Sequence, residues 1–245
     1  MIDSLPPPPP LARDRALFLD VDGTLVDFAP TPDAVQVRPD LVETLGTLHR
    51  GLQGALALIS GRPLAQLDAL FAPLQLPAAG LHGLEPRGMT APAMAPPALA
   101  TLRAQAQAMA ARFPGAVVED KGATLALHWR GNPDAETSLR ALADAALPTL
   151  PGYRAQPGNH VVELRPEGAD KGAAIAALLD TPAFRDRSPV FVGDDLTDEH
   201  GFAATRARGG SGILVGDRRP TAATHTLPDI AAVHSWLRQA ARTLS

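Results

Sequence analysis

Two aspartates separated by one residue close a short apolar run: Ala16-Leu17-Phe18-Leu19 leads into Asp20-Val21-Asp22-Gly23-Thr24. The run is too short for a typical helix and reads as a strand buried on both faces, as in a parallel sheet. Side chains alternate along an extended segment, so Asp20 and Asp22 leave the same face. Gly23 admits backbone angles closed to other residues, so the chain can turn away there and leave both acids at the strand's C-terminal end. Open α/β sheets bind their ligands at that edge. Carboxylates so placed suit phosphoryl chemistry on a metal. An Asx-type turn uses the same residue types, so the pair alone does not decide.

Other segments repeat the arrangement. The strand-like run Ala55 to Ile59 ends in Ser60-Gly61-Arg62, and Pro189 to Gly193 ends in Asp194-Asp195-Leu196-Thr197-Asp198. Asp170 can cap a helix that carries Lys171 in its first turn and Ile175, Leu178 and Leu179 on its apolar face. Helices are expected over Pro39 to Arg50, Leu64 to Phe71 and Ala231 to Leu244, and a last strand over Gly212 to Val215. This βαβα rhythm predicts a doubly wound, Rossmann-like parallel sheet of the α/β class.

The rhythm changes between about Gly88 and Pro166. A Pro- and Ala-rich stretch, Thr90 to Pro97, precedes an expected helix from Ala98 to Phe113. Strands are expected over Ala116 to Asp120, Thr124 to Arg130 and His160 to Arg165, with a helix over Asp134 to Ala146. Only Lys121-Gly122-Ala123 separates the first two strands, which suggests a hairpin and hence a small α+β module inserted into the larger sheet. The expected organisation is a proline-rich leader at 1–12, a core of 13–87 with 167–245, and an insert at 88–166. The run Pro6 to Pro10 favours polyproline II and is expected to be solvated.

Composition narrows the possibilities. The 245 residues carry a net charge of −4, with 45% hydrophobic and 20% charged residues and no cysteine. No basic run marks a nucleic-acid or anionic-membrane partner. Without cysteine there are no disulfides, thiolate metal sites or Cys nucleophiles, so a metal would be held by oxygen or His. No membrane span or signal peptide is evident, and a soluble, cytoplasmic monomer is expected.

Asp20-Val21-Asp22-Gly23-Thr24, Ser60-Gly61-Arg62, Lys171 and Gly193-Asp194-Asp195-Leu196-Thr197-Asp198 occur in one order, and together closely resemble the four signature motifs of the haloacid dehalogenase (HAD) phosphatase superfamily. The resemblance implies Asp20 as a nucleophile forming an aspartyl-phosphate, and Asp22 as the acid that protonates the leaving alkoxide and then deprotonates water. It implies Mg²⁺ held by Asp20, Asp194 and the main-chain carbonyl of Asp22, with Asp198 on a metal-bound water and Asp195 nearby. Ser60, the Gly61 N–H and Lys171 would meet the phosphoryl oxygens.

The insert lies where this superfamily places a C2-type cap. Leu81-His82-Gly83-Leu84-Glu85, Val118-Glu119-Asp120-Lys121-Gly122, Leu127-His128-Trp129-Arg130 and Val162-Glu163-Leu164-Arg165-Pro166 resemble the trehalose-6-phosphate phosphatase family over nearly all the chain after the leader. The implied substrate is a small phosphorylated disaccharide, trehalose 6-phosphate, hydrolysed in the last step of trehalose biosynthesis. Sugar hydroxyls are met by carboxylates, Lys, Arg and His, so Glu119, Lys121, His128 and Glu163 are expected on the sugar, with Arg62 and His82 at the junction with the core. Closure of such a cap is expected to exclude water. Trp129 alternates with the polar side chains and is expected in the cap's own core. Other phosphosugars of the same kind, such as sucrose phosphate or a mannosyl-glycerate phosphate, and a non-catalytic phosphosugar binder, remain open at this point.

Overall fold

The computed structural model describes residues 5–29, 34–88 and 95–245. Most of the Thr90 to Pro97 stretch lies outside them. The chain divides into two compact units, Met1–Ala91 with Ala169–Ser245, and Pro92–Gly168.

The first unit is built on a seven-stranded sheet. Its strands are β1 (Arg15–Leu19), β2 (Leu56–Ile59), β3 (Ala78–Gly80), β4 (Glu85–Pro86), β9 (Ser188–Gly193), β10 (Ser211–Val215) and β11 (His225–Leu227). They lie in the order β11-β10-β9-β1-β2-β3-β4, parallel except for the β3–β4 pair. Strand β1 is central, with Leu19 level with Leu58 on one side and Val192 on the other. Such a strand must be apolar on both faces, and Ala16 to Leu19 are all fully buried. From β1 the chain builds outward first through β2 and β3 and later through β9 and β10. The direction of building thus reverses beside β1, at the kind of position where doubly wound sheets bind ligands.

Helices α1 (Pro39–Gly51), α2 (Leu64–Phe71), α5 (Lys171–Leu179) and α6 (Glu199–Ala207) lie between these strands along the chain, and α7 (Ile230–Leu244) follows β11. Helix α1 starts on a proline, whose fixed φ suits a first turn, and buries Leu41, Leu45 and Leu48 at helical spacing. Asp170 and Asp229 cap α5 and α7 by accepting the backbone N–H groups of Ala173 and Ala232, each at 2.8 Å.

The second unit has a four-stranded antiparallel sheet, β5 (Val117–Asp120), β6 (Leu125–His128), β8 (Val161–Pro166) and β7 (Tyr153–Gly158), in that spatial order. Helices α3 (Pro97–Ala110) and α4 (Glu136–Ala146) give it a separate apolar core. Leu102 and Leu139 pack there with Leu125, Leu127, Trp129, Val162 and Leu164. Trp129 is fully buried, as its alternation required, and the Arg140 guanidinium lies over its ring.

Several elements depart from the sequence reading. The proline run is exposed at Pro6, Pro7, Pro9 and Pro10, as expected, yet it is also docked on the sheet unit. The Pro6 carbonyl accepts the Thr226 N–H on β11 at 3.0 Å, and the Pro9 carbonyl accepts the Trp236 indole N–H at 3.0 Å. Leu11 is buried. Prolines cannot donate to a sheet but keep their carbonyls as acceptors, so the run can lie along the edge of β11 and give the next chain no row of donors. Strand β7 went unrecognised because it carries Pro157, which an edge strand tolerates, and because its residues are only partly buried. Helix α6 buries only Gly201, Phe202 and Thr205, so its apolar stripe is too thin to read.

If the leader holds α7 in place, Trp236→Phe, which deletes the donor to Pro9, should lower unfolding free energy by about 1 kcal/mol. Urea denaturation measures this, and an unchanged midpoint would remove the contact from the stability account.

Candidate active site

Strands β9, β1 and β2 are neighbours, so the segments following them emerge side by side at one sheet edge. Asp20 follows β1 and is held by its backbone N–H donating to Val192 at 3.0 Å. Its side chain is buried. Lys171, the first residue of α5, is buried too, with Nζ 2.8 Å from Asp20 Oδ1 and 2.6 Å from Asp198 Oδ1. One ammonium therefore serves two carboxylates.

The loop after β9 is organised by its own acids. Asp195 accepts the N–H and hydroxyl of Thr197, at 2.7 and 2.6 Å. Asp198 Oδ2 accepts the N–H groups of Asp194 and Asp195, each at 2.9 Å. With Oδ1 on Lys171, both Asp198 oxygens are engaged, so its visible work is to shape the loop and hold the lysine. Thr24 donates to Asp194 at 3.3 Å. Gly23 has φ +81°, and a Cβ there would overlap the Asp194 carboxylate. Glycine is needed at this position twice over, for its backbone angle and for the close approach.

Asp20, Asp194 and Asp198 each offer a carboxylate oxygen within 4.8 Å of the others. An all-oxygen donor set of this kind fits a hard divalent cation. Electrostatics point the same way. Burial and the charges of Asp198 and Asp195 push Asp194 up to about 7. Burial raises Asp20 well above the usual carboxylate range despite Lys171, with Asp198 and Asp194 adding to the rise. Asp198 is raised by burial as well. Burial disfavours the Lys171 charge, but Asp198 and Asp20 overcome it and keep the ammonium protonated. The site holds more negative charge than one lysine neutralises.

The Asp22 carboxylate stands outside that trio. Arg62 grips it bidentately, Nε to Oδ2 and Nη2 to Oδ1, both at 2.7 Å. Arg62, expected at the substrate, thus makes its best-defined contact with the expected acid–base residue. The Ser60 hydroxyl accepts the Arg62 N–H at 3.1 Å, which leaves its own hydrogen to donate. Past β3, Leu81, His82 and Gly83 all have positive φ, a strained run for two non-glycine residues. It brings the His82 ring against Gly61, where a Cβ would collide with it; burial raises the Asp195 carboxyl, but Lys171 and the Thr197 hydrogen bonds bring it below the usual range, with a smaller contribution from His82.

In the second unit the residues expected at the sugar converge on one face of the sheet. Lys121 Nζ lies 3.2 Å from Glu163 Oε1 and 3.7 Å from Glu119 Oε2, and His128 Nε2 lies 3.0 Å from Glu119 Oε2. Thr124, which the sequence reading passed over, donates to Glu163 at 3.2 Å. Glu119 falls below the usual carboxylate range: burial raises it, and the His128 hydrogen bond and Lys121 more than offset that. Glu85 accepts the Leu64 N–H at the start of α2, at 2.8 Å.

The fold and the acidic edge define a HAD-type phosphatase, and structural neighbours agree on the fold. The C-terminal domain of Candida albicans trehalose-6-phosphate phosphatase superposes with a TM-score of 0.80 at 21% identity, covering 99% of both chains. A HAD-superfamily phosphatase from Bacteroides thetaiotaomicron gives a TM-score of 0.58 at 18% identity, over 90% of this chain and 91% of that one. The trehalose-phosphatase family model matches residues 18–230. The chain is 42% identical over 241 residues to the trehalose-6-phosphate phosphatase of Escherichia coli (strain K12), covering 97% of this chain and 90% of that protein. It is 43% identical over 224 residues to a probable trehalose-phosphate phosphatase of Sinorhizobium fredii, covering 90% and 84%. The chain belongs to the trehalose-phosphatase family.

The raised acids make a stability test. A carboxyl whose folded pKa lies above its unfolded value binds more protons folded than unfolded between the two, so stability rises as pH falls through the folded pKa. In a chelator, the melting temperature should rise as pH is lowered from about 8 to about 6, and Asp194→Asn should flatten that rise. Equal pH slopes in the two proteins would count against Asp194 as its source.

Proposed function

We propose that this protein is a Mg²⁺-dependent phosphatase that hydrolyses trehalose 6-phosphate to trehalose and phosphate through an aspartyl-phosphate on Asp20. The observation that carries the reading is the buried Lys171 bridging Asp20 and Asp198 at the sheet edge, next to Asp194. A pure binder has no need of a buried carboxylate activated in this way.

In the first step an Asp20 oxygen attacks phosphorus, the bond from phosphorus to the sugar oxygen breaks, and Asp22 gives its proton to the departing alkoxide. In the second step Asp22, now a carboxylate, takes a proton from water as the water oxygen attacks phosphorus. Phosphate leaves and Asp20 is regenerated. The bidentate Arg62 grip fixes where the Asp22 carboxyl sits in both steps. Lys171, at the N-terminus of α5, adds a full charge to the helix's partial one where phosphoryl oxygens gather charge, and Ser60 and the Gly61 N–H donate to those oxygens. Mg²⁺, held by Asp20, Asp194 and the Asp22 carbonyl with Asp198 alongside, would screen the same oxygens. Glu119, Lys121, His128 and Glu163 are assigned to the sugar hydroxyls, with Arg62 and His82 as further substrate contacts on the core side. A cytoplasmic location fits a freely diffusing sugar phosphate.

Phosphate release from a panel of phosphorylated mono- and disaccharides, with and without Mg²⁺, tests the reading. Asp20→Asn should reduce release by about three orders of magnitude or more; a fully active variant would exclude Asp20 as nucleophile. Glu163→Ala should lower kcat/KM for trehalose 6-phosphate roughly 10- to 100-fold while sparing a small generic phosphate ester. Equal losses on both substrates would remove Glu163 from sugar recognition.

A further inference from the structure

Arg218 belongs to none of the motifs above, and lies in the connection between β10 and β11. Its guanidinium nonetheless reaches the loop after β9. Nη2 donates to the Asp195 carbonyl at 3.0 Å and Nε to the Asp194 carbonyl at 3.4 Å. Nη2 also meets Glu199 Oε1 at 2.5 Å, and Nη1 donates to the Pro220 carbonyl at 3.2 Å. The second Glu199 oxygen accepts the Ala222 N–H at 2.6 Å, tying the first residue of α6 to the same connection. Burial raises the Glu199 carboxyl, yet the Ala222 N–H and Arg218 bring it below the usual range.

The consequence concerns Asp194. The N–H groups of Asp194 and Asp195 are both taken by Asp198, and the carbonyls of the same two residues are both taken by Arg218. These peptides are therefore pinned on both sides. Among the described residues the carboxylate of Asp194 receives a single hydrogen bond, from Thr24 at 3.3 Å, so its placement depends chiefly on the backbone that carries it. We propose that Arg218, held in place by Glu199, is a positioning residue that fixes the Asp194 backbone so that its carboxylate is preset for a divalent cation. The planar fork of arginine suits two successive carbonyls, whereas a lysine ammonium presents a single charged centre. Groups that orient a metal's ligands typically change metal affinity about 10- to 100-fold when removed. This inference rests on the reading of Asp194 as a metal ligand.

Mn²⁺ binding to the substrate-free protein, followed by electron paramagnetic resonance, tests it alongside melting temperature and phosphate release. Arg218→Ala should weaken Mn²⁺ binding about tenfold or more and lower kcat more than it raises KM. Arg218→Lys should recover little of either, and Glu199→Gln should cause a smaller loss, because Arg218 keeps its carbonyl contacts. Arg218 lines an open groove of about 680 Å³ that reaches Asp194, so added guanidinium should partly restore Mn²⁺ binding to Arg218→Ala. Wild-type Mn²⁺ affinity in Arg218→Ala, with only a lower melting temperature, overturns the proposal and makes the arginine a structural strap. Should that variant not fold, the Arg218→Lys and Glu199→Gln titrations decide the same question: unchanged affinity in both overturns it. Absence of Mn²⁺ binding by the unaltered protein would instead overturn the metal reading on which the proposal stands.

Discussion

One buried ammonium makes the rest of the site possible. Lys171 sits out of solvent between Asp20 and Asp198, where neither acid could stay ionised at low cost without it. Burying a charge costs several kcal/mol unless it is paired and hydrogen-bonded, and here one cation supports two anions. The arrangement leaves a deficit of positive charge, visible in Asp194, which burial and its acidic neighbours push up to about 7. That deficit is useful. A site neutral by itself would have little affinity for a divalent cation and a phosphate together, whereas an over-acidic cluster with one fixed lysine favours the cation first and, through it and the lysine, the anion.

The sheet makes this concentration of charge mechanically tolerable. Three adjacent parallel strands end at one edge, so their following residues are brought together by hydrogen-bond register rather than by long flexible loops. Close approach is then secured by the absence of side chains. Gly23 lets the Asp194 carboxylate lie against the backbone after β1, and Gly61 lets the His82 ring lie against the backbone after β2. In each case a methyl group would occupy the space that a functional side chain fills. The strained backbone at Leu81 and His82 is of the same kind, since non-glycine residues with positive φ persist only where the surroundings hold them.

What could be read from the sequence follows from how locally each feature is encoded. The acids after β1 and β9, Ser60 after β2 and Lys171 after its cap are each written beside a strand or helix start, and the apolar runs before them fix the elements. Trp129 was placed in the cap core by alternation alone. Features that depend on a distant partner were not legible. Arg218 and Glu199 are ordinary surface-type residues until the fold brings the β10–β11 connection over the β9 loop. Arg62 could be placed among the substrate contacts at the edge of the core, but its grip on Asp22 needs two strand ends at a known distance. The proline run is exposed, as its composition implies, but its docking was not legible, because it depends on carbonyls meeting Thr226 and Trp236 far along the chain.

The polar face of the second sheet is internally satisfied, which bears on how it would meet the sugar assigned to it above. Glu163 takes hydrogen bonds from Lys121 and Thr124, and Glu119 bonds His128. These groups already satisfy one another, so a sugar hydroxyl entering the cluster exchanges hydrogen bonds rather than adding new ones, and each exchange contributes only modestly. Affinity from such a face depends on many hydroxyls being matched at once. A small phosphate ester presents few or none and gains little there, while the phosphoryl machinery treats both alike. On the proposed assignment of this face to the sugar, selectivity for a phosphorylated disaccharide would rest on the number of matched exchanges, and the chemistry of the acidic edge need not know which alcohol it releases.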